Sequence, residues 1–173
     1  MMRKKESMNA KLFAPTIVTK KVNLHFNKCL NNTKGKLQSY LNKTYTGKCQ
    51  EEGFIRENSI EITSYSAGLC KSEFVEYMVV FTCDVCNIFE DMVLSCVVEN
   101  TTKAGLKCKV VNIGDDSEGE SRSPVVVFCA RDHHYNHSNF HNIGVDQTIL
   151  VNVIGSRYEL HDEYISVIGI VIE

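Results

Sequence analysis

Residues 104–111 read Ala104-Gly105-Leu106-Lys107-Cys108-Lys109-Val110-Val111, and within them the apolar Leu106, Cys108 and Val110 alternate with Lys107 and Lys109. A period of two sends successive side chains to opposite faces of an extended chain, so this stretch predicts a strand with one buried and one basic, solvent-facing side. Gly105 at its start predicts a bulge or a sharp bend. Working outward, residues 92–99, 125–129, 147–154 and 163–172 are further strand candidates, rich in Val, Ile and Phe. The last two are apolar on both faces for much of their length and are joined by residues 155–162, a hairpin-sized connection. Between the third and fourth lies polar 130–142, long enough for a short helix. Five strands with a helix after the third is the order of an OB-type barrel, in which closure removes exposed sheet edges.

The first half reads differently. Residues 1–17 are polar and basic without periodicity and predict a flexible arm. A short strand is expected at 22–26, followed by Asn27 as a helix cap. Leu30, Leu37 and Leu41 then recur at spacings of seven and four, which places them on one helical face through about Asn42, with Gly35 weakening the helix. From Cys49 the chain changes to short extended segments at 53–56, 59–65 and 74–83, and a break is expected at 84–91. The fold class expected is α+β: a domain at 18–88, with a helix packed on a small antiparallel sheet, followed by a five-stranded barrel at 89–173.

The 173 residues are 43% hydrophobic and 23% charged, which is enough to bury a core. Two domains of this size each bury a smaller fraction of their surface than one large domain, so a permanent partner is expected from size alone. Arg3, Lys4 and Lys5 are not followed by an apolar run, and no stretch approaches the ~20 apolar residues of a membrane span; a soluble, intracellular chain is expected. In that setting the eight cysteines read as reduced, buried thiols rather than disulfides. Charge is unevenly spread. Residues 1–88 hold 13 Lys+Arg against 8 Asp+Glu, net +5, and residues 89–173 hold 6 against 13, net −7. The second half therefore cannot bind nucleic acid by bulk charge and needs a local basic stripe.

Three clusters could carry metal chemistry. His133, His137 and His141 fall four apart, with Cys129 four before the first, but on a helix they would spread over about 12 Å, too far to share one ion. Cys83 and Cys86 have CxxC spacing without a second pair, although Cys49, Cys70 or His25 could complete a site. The acidic run from Asp115 to Glu120 reads as a solvated loop. No Gly-rich phosphate loop, nucleophile elbow or HExxH occurs, so no metal, no cofactor and no catalytic residue are expected.

Several short motifs in order resemble one family. Gly47-Lys48-Cys49 with Gly53-Phe54-Ile55, then Val75 to Phe89 leading into Met92-Val93-Leu94, Val97-Val98-Glu99-Asn100 with Lys103-Ala104-Gly105-Leu106, and Ile154-Gly155-Ser156-Arg157 through Ile165-Ser166-Val167-Ile168-Gly169 are similar to the stalk subunit of RNA polymerases, represented by the seventh subunit of eukaryotic RNA polymerase II and by its archaeal counterpart. The resemblance spans about residues 18–173. The family's early Leu-x-Pro is replaced by Leu24-His25-Phe26-Asn27 with a longer helix after it, a pattern more similar to the stalk-like subunits of large DNA viruses. The resemblance implies a non-catalytic subunit of a DNA-dependent RNA polymerase, active in the nucleus, or in a viral factory and virion. It implies docking on polymerase core subunits through a tip domain carrying Gly47, Lys48, Cys49, Gly53, Phe54 and Ile55, a smaller stalk partner, and contact of the OB barrel with nascent single-stranded RNA.

An OB barrel binds single strands through aromatic and basic side chains on an exposed sheet face. Lys103, Lys107, Lys109, Arg131, Tyr135, Arg157 and Tyr158 are the candidates here, set against the plainer reading of scattered surface charge and core aromatics. The alternative function is a free-standing OB-fold protein that binds single-stranded RNA without a polymerase.

Overall fold

The computed structural model of the chain describes residues 12–28, 32–111, 123–135 and 140–172. These form two compact units, one of Phe13–Asn87 with Glu159–Glu163, the other built on Ile88–Tyr158 and Tyr164–Glu173.

The first unit is an antiparallel sheet with one helix. Strand β1, Phe13–His25, pairs along its whole length with β6, Phe74–Cys86. On the far side of β6 lie β3 (Gly53–Ile55), β4 (Glu61–Tyr65) and β5 (Leu69–Lys71), and β2 (Lys48–Gln50) pairs with β3. Val18, Val22, Leu24, Val79 and Phe81 line the buried face together with Leu37 and Leu41 of helix α1, Thr33–Tyr45.

Two expectations are corrected here. The arm expected at 1–17 ends sooner, because Phe13 to Ile17 already belong to β1, whereas residues 1–11 lie outside the described ones. Pro15 disguises this strand, and so does Lys20, which interrupts the apolar alternation at an inward position. Lys20 is tolerated there because its ammonium bridges Glu51 and Glu52, each at 2.9 Å. Burial alone would lower its pKa, but the bonds to the two carboxylates raise it above the ordinary lysine value. The helix cap is likewise not Asn27, which sits in a 3-10 turn at Phe26–Lys28. It is Asn32, in the left-handed region at φ 53, whose side-chain oxygen accepts from the Gly35 N–H at 3.2 Å. Leu30 lies outside the described residues.

Asn32→Ala should cost about 1–2 kcal/mol in a urea unfolding curve, because it loses the cap and forces alanine into the left-handed region. Asn32→Gly, which fits that φ, should cost only a few tenths.

The second unit is a closed five-stranded barrel of β7 (Val93–Thr101), β8 (Gly105–Val110), β9 (Val125–Ala130), β10 (Thr148–Arg157) and β11 (Ile165–Ile172). Around the barrel the order is β7-β8-β9-β11-β10 and back to β7, with β9 and β11 parallel and every other pair antiparallel. The sheet is thus mixed, because β11 follows a hairpin from β10 and must run alongside β9 to close the ring.

A five-stranded barrel is too narrow for large side chains on every inward position. Its interior is accordingly built of Val98, Val127, Val151, Val153, Ile165 and Val167 with the thiols of Cys96, Cys108 and Cys129, all essentially unexposed. Gly105 stands at φ 149 where the 102–105 turn leads from β7 into β8, and a Cβ there would run into the Cys129 carbonyl oxygen of β9. Of the two expectations for Gly105 the bend is present, whereas the bulge of the β7–β8 pair lies elsewhere, between Val98 and Asn100 opposite Cys108 and Lys107.

Among the described residues of 130–142 there is no α-helix where a short helix is expected. Arg131–His134 and Phe140–Asn142 are 3-10 turns, and 136–139 lie outside the described residues. Asp, His, Tyr and Asn are poor helix formers, and the segment's groups have other partners. The Arg131 N–H donates to the Ala104 carbonyl at 2.9 Å. His134 is buried: its Nδ1 lies 2.6 Å from the Ala130 carbonyl, its Nε2 accepts from the Val171 N–H at 2.9 Å, and its ring stacks on Phe140 with centroids 4.2 Å apart. The bond from Val171 fixes the tautomer, so Nδ1 carries the proton and donates to Ala130. One imidazole thereby ties the end of β9 to the end of β11.

Candidate functional site

On the outside of β8 and β9 the register sets Lys107 directly across from Phe128, and Lys109 across from Val126. Directly opposed side chains on one face lie about 5 Å apart at Cβ, so the stem of a lysine stands beside an aromatic ring. Phe128 is 41% exposed, although phenylalanine is normally among the most buried residues. Its parallel neighbour on β11 is Ile168, also half-exposed, so the ring lies between a lysine and an aliphatic side chain.

At the end of the same two strands the 102–105 turn carries exposed Lys103. The Arg131 N–H bond to Ala104 holds the 3-10 turn against it, with Arg131 and Tyr135 both exposed. Lys103, Lys107, Lys109 and Arg131 are four of the six Lys and Arg of residues 89–173. They fall on one strand and the turns at its start, so the acidic half concentrates its cations in one stripe. Lys107 also meets Glu99 at 3.4 Å, a half-exposed pair that contributes little to stability and leaves the ammonium exchangeable.

The structure divides the seven residues expected to meet RNA. Lys103, Lys107, Lys109, Arg131 and Tyr135 share the β8–β9 face and its end. Arg157 and Tyr158 do not: β10 runs antiparallel to β7, so Arg157 stands at the barrel end opposite the 102–105 turn, paired with Ser166. Phe128 escapes sequence reasoning. The run Val125-Val126-Val127-Phe128-Cys129 is apolar throughout, so alternation cannot say which side chains point outward. The available signal is indirect, since a β9 antiparallel to β8 must match the outward lysines with alternate residues of that run.

The six residues expected to dock on a polymerase form one hairpin of the first unit. Its open end, away from the 51–52 turn, is closed by Gly47, φ 70, whose N–H donates to the Ile55 carbonyl at 2.9 Å. Gly53, φ 128, is packed so that a Cβ would meet the Cys86 carbonyl oxygen at 2.5 Å. Cys49, Phe54 and Ile55 are buried, and the Cys49 backbone is engaged on both sides, donating to the Asp162 carbonyl and accepting from the His161 N–H. Of the six, only Lys48 presents an exposed side chain.

Cys83 and Cys86 belong to one strand three residues apart, which sends their side chains to opposite faces. Among the described residues no group of three or more His, Cys, Asp or Glu side chains is placed to hold a metal ion. His133 is exposed on a 3-10 turn, and His137, the His141 side chain and the acidic run 115–120 lie outside the described residues. No helix among the described residues is long and apolar enough to cross a membrane.

Of the seven described cysteines only Cys70 is exposed. Burial pushes Cys49 and Cys83 up to about 11 and Cys86 and Cys96 up to about 12, with nearby carboxylates or thiols adding to it. Cys129 is raised by its hydrogen bond to Cys108 and by burial. Thiolate is the reactive form, so a rise of two units removes about 99% of the nucleophile at neutral pH. In a Cys29→Ser background, a disulfide reagent at pH 7.5 should label Cys70 about 100-fold faster than Cys49, Cys83, Cys86 or Cys96 until denaturant is added. Early labelling of Cys83 or Cys86, read by peptide mass mapping, would contradict the buried assignment.

No protein-family model and no curated protein matches this chain.

Proposed function

We propose that the barrel is an OB fold that binds single-stranded RNA along β8 and β9, and that the chain serves as the non-catalytic stalk subunit of a DNA-dependent RNA polymerase. The observation that carries the first half is the exposed Phe128 ring set beside Lys107, with Lys103, Lys109 and Arg131 on the same strand and turns. A ring face accepts any base, and a row of cations follows the phosphates without reading sequence. The barrel's strand order, with one parallel pair closing the ring, supports the OB reading, whose binding face is the second and third strands. The second half rests on the resemblance and on the division into a sheet-and-helix unit and a barrel. Docking beside the RNA exit would raise the effective RNA concentration, so the barrel's own affinity can be weak.

One observation favours the free-standing alternative. Cys49, Phe54 and Ile55 contribute to their own unit's core, leaving Lys48 as the exposed side chain of the hairpin expected to dock. Two measurements separate the readings. Fluorescence anisotropy of the full chain with a labelled twelve-nucleotide oligouridine should show binding that weakens about tenfold or more between 50 and 200 mM salt, and a duplex of the same length should bind less well. Copurification from the native source should recover polymerase core subunits. RNA binding without polymerase would leave the free-standing protein, and absence of RNA binding at low salt would remove the RNA-binding reading of the barrel.

A further inference from the structure

A closed barrel has no edge, but the sheet of the first unit has a long one. The register of β1 and β6 identifies which backbone groups it exposes. The Phe26 N–H donates to the Glu73 carbonyl at 2.9 Å, one step beyond the His25–Phe74 pair. In an antiparallel ladder the hydrogen-bonded pairs alternate, so the even residues of β1, from Ala14 to Leu24, exchange bonds with β6. The opposite side of β6 agrees: its even residues Met78 and Asp84 accept from the Ser66 and Arg56 N–H groups. The N–H and C=O groups of Ile17, Thr19, Lys21 and Asn23 therefore point away from β6, and among the described residues no strand pairs with that edge. Pro15 has the same parity, where its missing N–H costs the ladder nothing.

We propose that the Ile17–Asn23 edge of β1 is a docking site for an extended, acidic segment of a protein partner, which adds to the sheet as a further strand. The backbone groups supply affinity for any extended chain, and charge selects among them. β1 contains two lysines and no carboxylate. Lys20 is committed to Glu51 and Glu52, whereas Lys21 is exposed on the outer face, where its charge reaches the Glu76 carboxylate. A second copy of the chain is disfavoured. Two β1 edges meeting antiparallel about Lys20 would set lysines of both chains together, which opposes pairing. A strand carrying glutamates on the Lys21 face has the complementary sign. This surface is independent of the RNA reading of the barrel.

The probe is an acetylated, amidated heptapeptide alternating valine with glutamate, added to the full chain and followed by amide hydrogen exchange and NMR shifts. Expected is new protection at the Thr19 and Lys21 amides with no change at Val18 and Val22, which are already bonded to β6. Thr19→Pro removes one edge donor at a position with the parity of Pro15 and should weaken binding about tenfold. Lys21→Glu, which leaves the backbone intact, should weaken it similarly and reverse the preference toward a valine–lysine peptide. No protection at about 1 mM peptide, the weak end of specific affinity, would overturn the proposal. So would equal binding of the lysine peptide to the unmodified chain, or a concentration-dependent dimer dissolved by Thr19→Pro.

Discussion

Replacing His134 with alanine should destabilise the barrel by about 3–6 kcal/mol, whereas replacing its neighbour His133 should change stability by less than about 0.5 kcal/mol. The difference follows from what each ring touches. His133 is exposed, whereas His134 is 3% exposed, donates to Ala130, accepts from Val171 and lies flat on Phe140. Alanine loses two hydrogen bonds worth about 1 kcal/mol each and leaves a buried N–H unsatisfied, at a further 1–3 kcal/mol unless water enters. It also loses a stacked ring worth about 1 kcal/mol. His134→Phe restores the ring but neither bond, and should recover less than half of the loss.

Because the chain has two units, the measurement should be local: native-state hydrogen exchange at Val171 and its β11 neighbours, compared with β6. Selective loss of protection in β11 and β9 is the expected outcome. Equal effects of the His133 and His134 substitutions would show that the imidazole does not tie the barrel closed.

This histidine also shows where the sequence stops being legible. The four-residue spacing of His133, His137 and His141 suggests a helical face, but the ring that matters is His134, which belongs to no periodic series. Its role comes from β11 lying parallel to β9, a long-range pairing that no local pattern reports. The same limit hides the first half of β1, whose inward Lys20 makes sense only once Glu51 and Glu52 are placed beside it. The five barrel strands are legible because strong β formers between polar breaks need only local information, and their observed ends differ from expectation by at most three residues. Alternation in β8 correctly marks the outward lysines, whereas the continuous apolar run of β9 gives no such mark, so Phe128 emerges only from the register.

That register yields the second large effect. If Phe128 stacks a base and Lys107 neutralises a phosphate, the two substitutions should weaken oligouridine binding by different physical routes. Phe128→Ala removes a stacking contact worth about 1–3 kcal/mol, so affinity should fall about tenfold or more with the salt dependence unchanged. Lys107→Ala should cost less at physiological salt but reduce the slope of log K against log salt by about 0.7, the share of one phosphate contact on a single strand. With Lys103, Lys107, Lys109 and Arg131 as the stripe, the unmodified slope should not exceed about 2.8 in magnitude. Glu99→Gln, which frees Lys107 from its 3.4 Å partner, should move affinity the other way. The Phe128 and Lys107 changes together should approach a hundredfold loss, because one acts on base stacking and the other on charge, and neither alters the inward face of β8 or β9. A Phe128→Ala protein that binds oligouridine as tightly as the original, or one whose salt slope changes as Lys107→Ala does, would show that the exposed ring is an apolar contact for protein rather than a platform for a base.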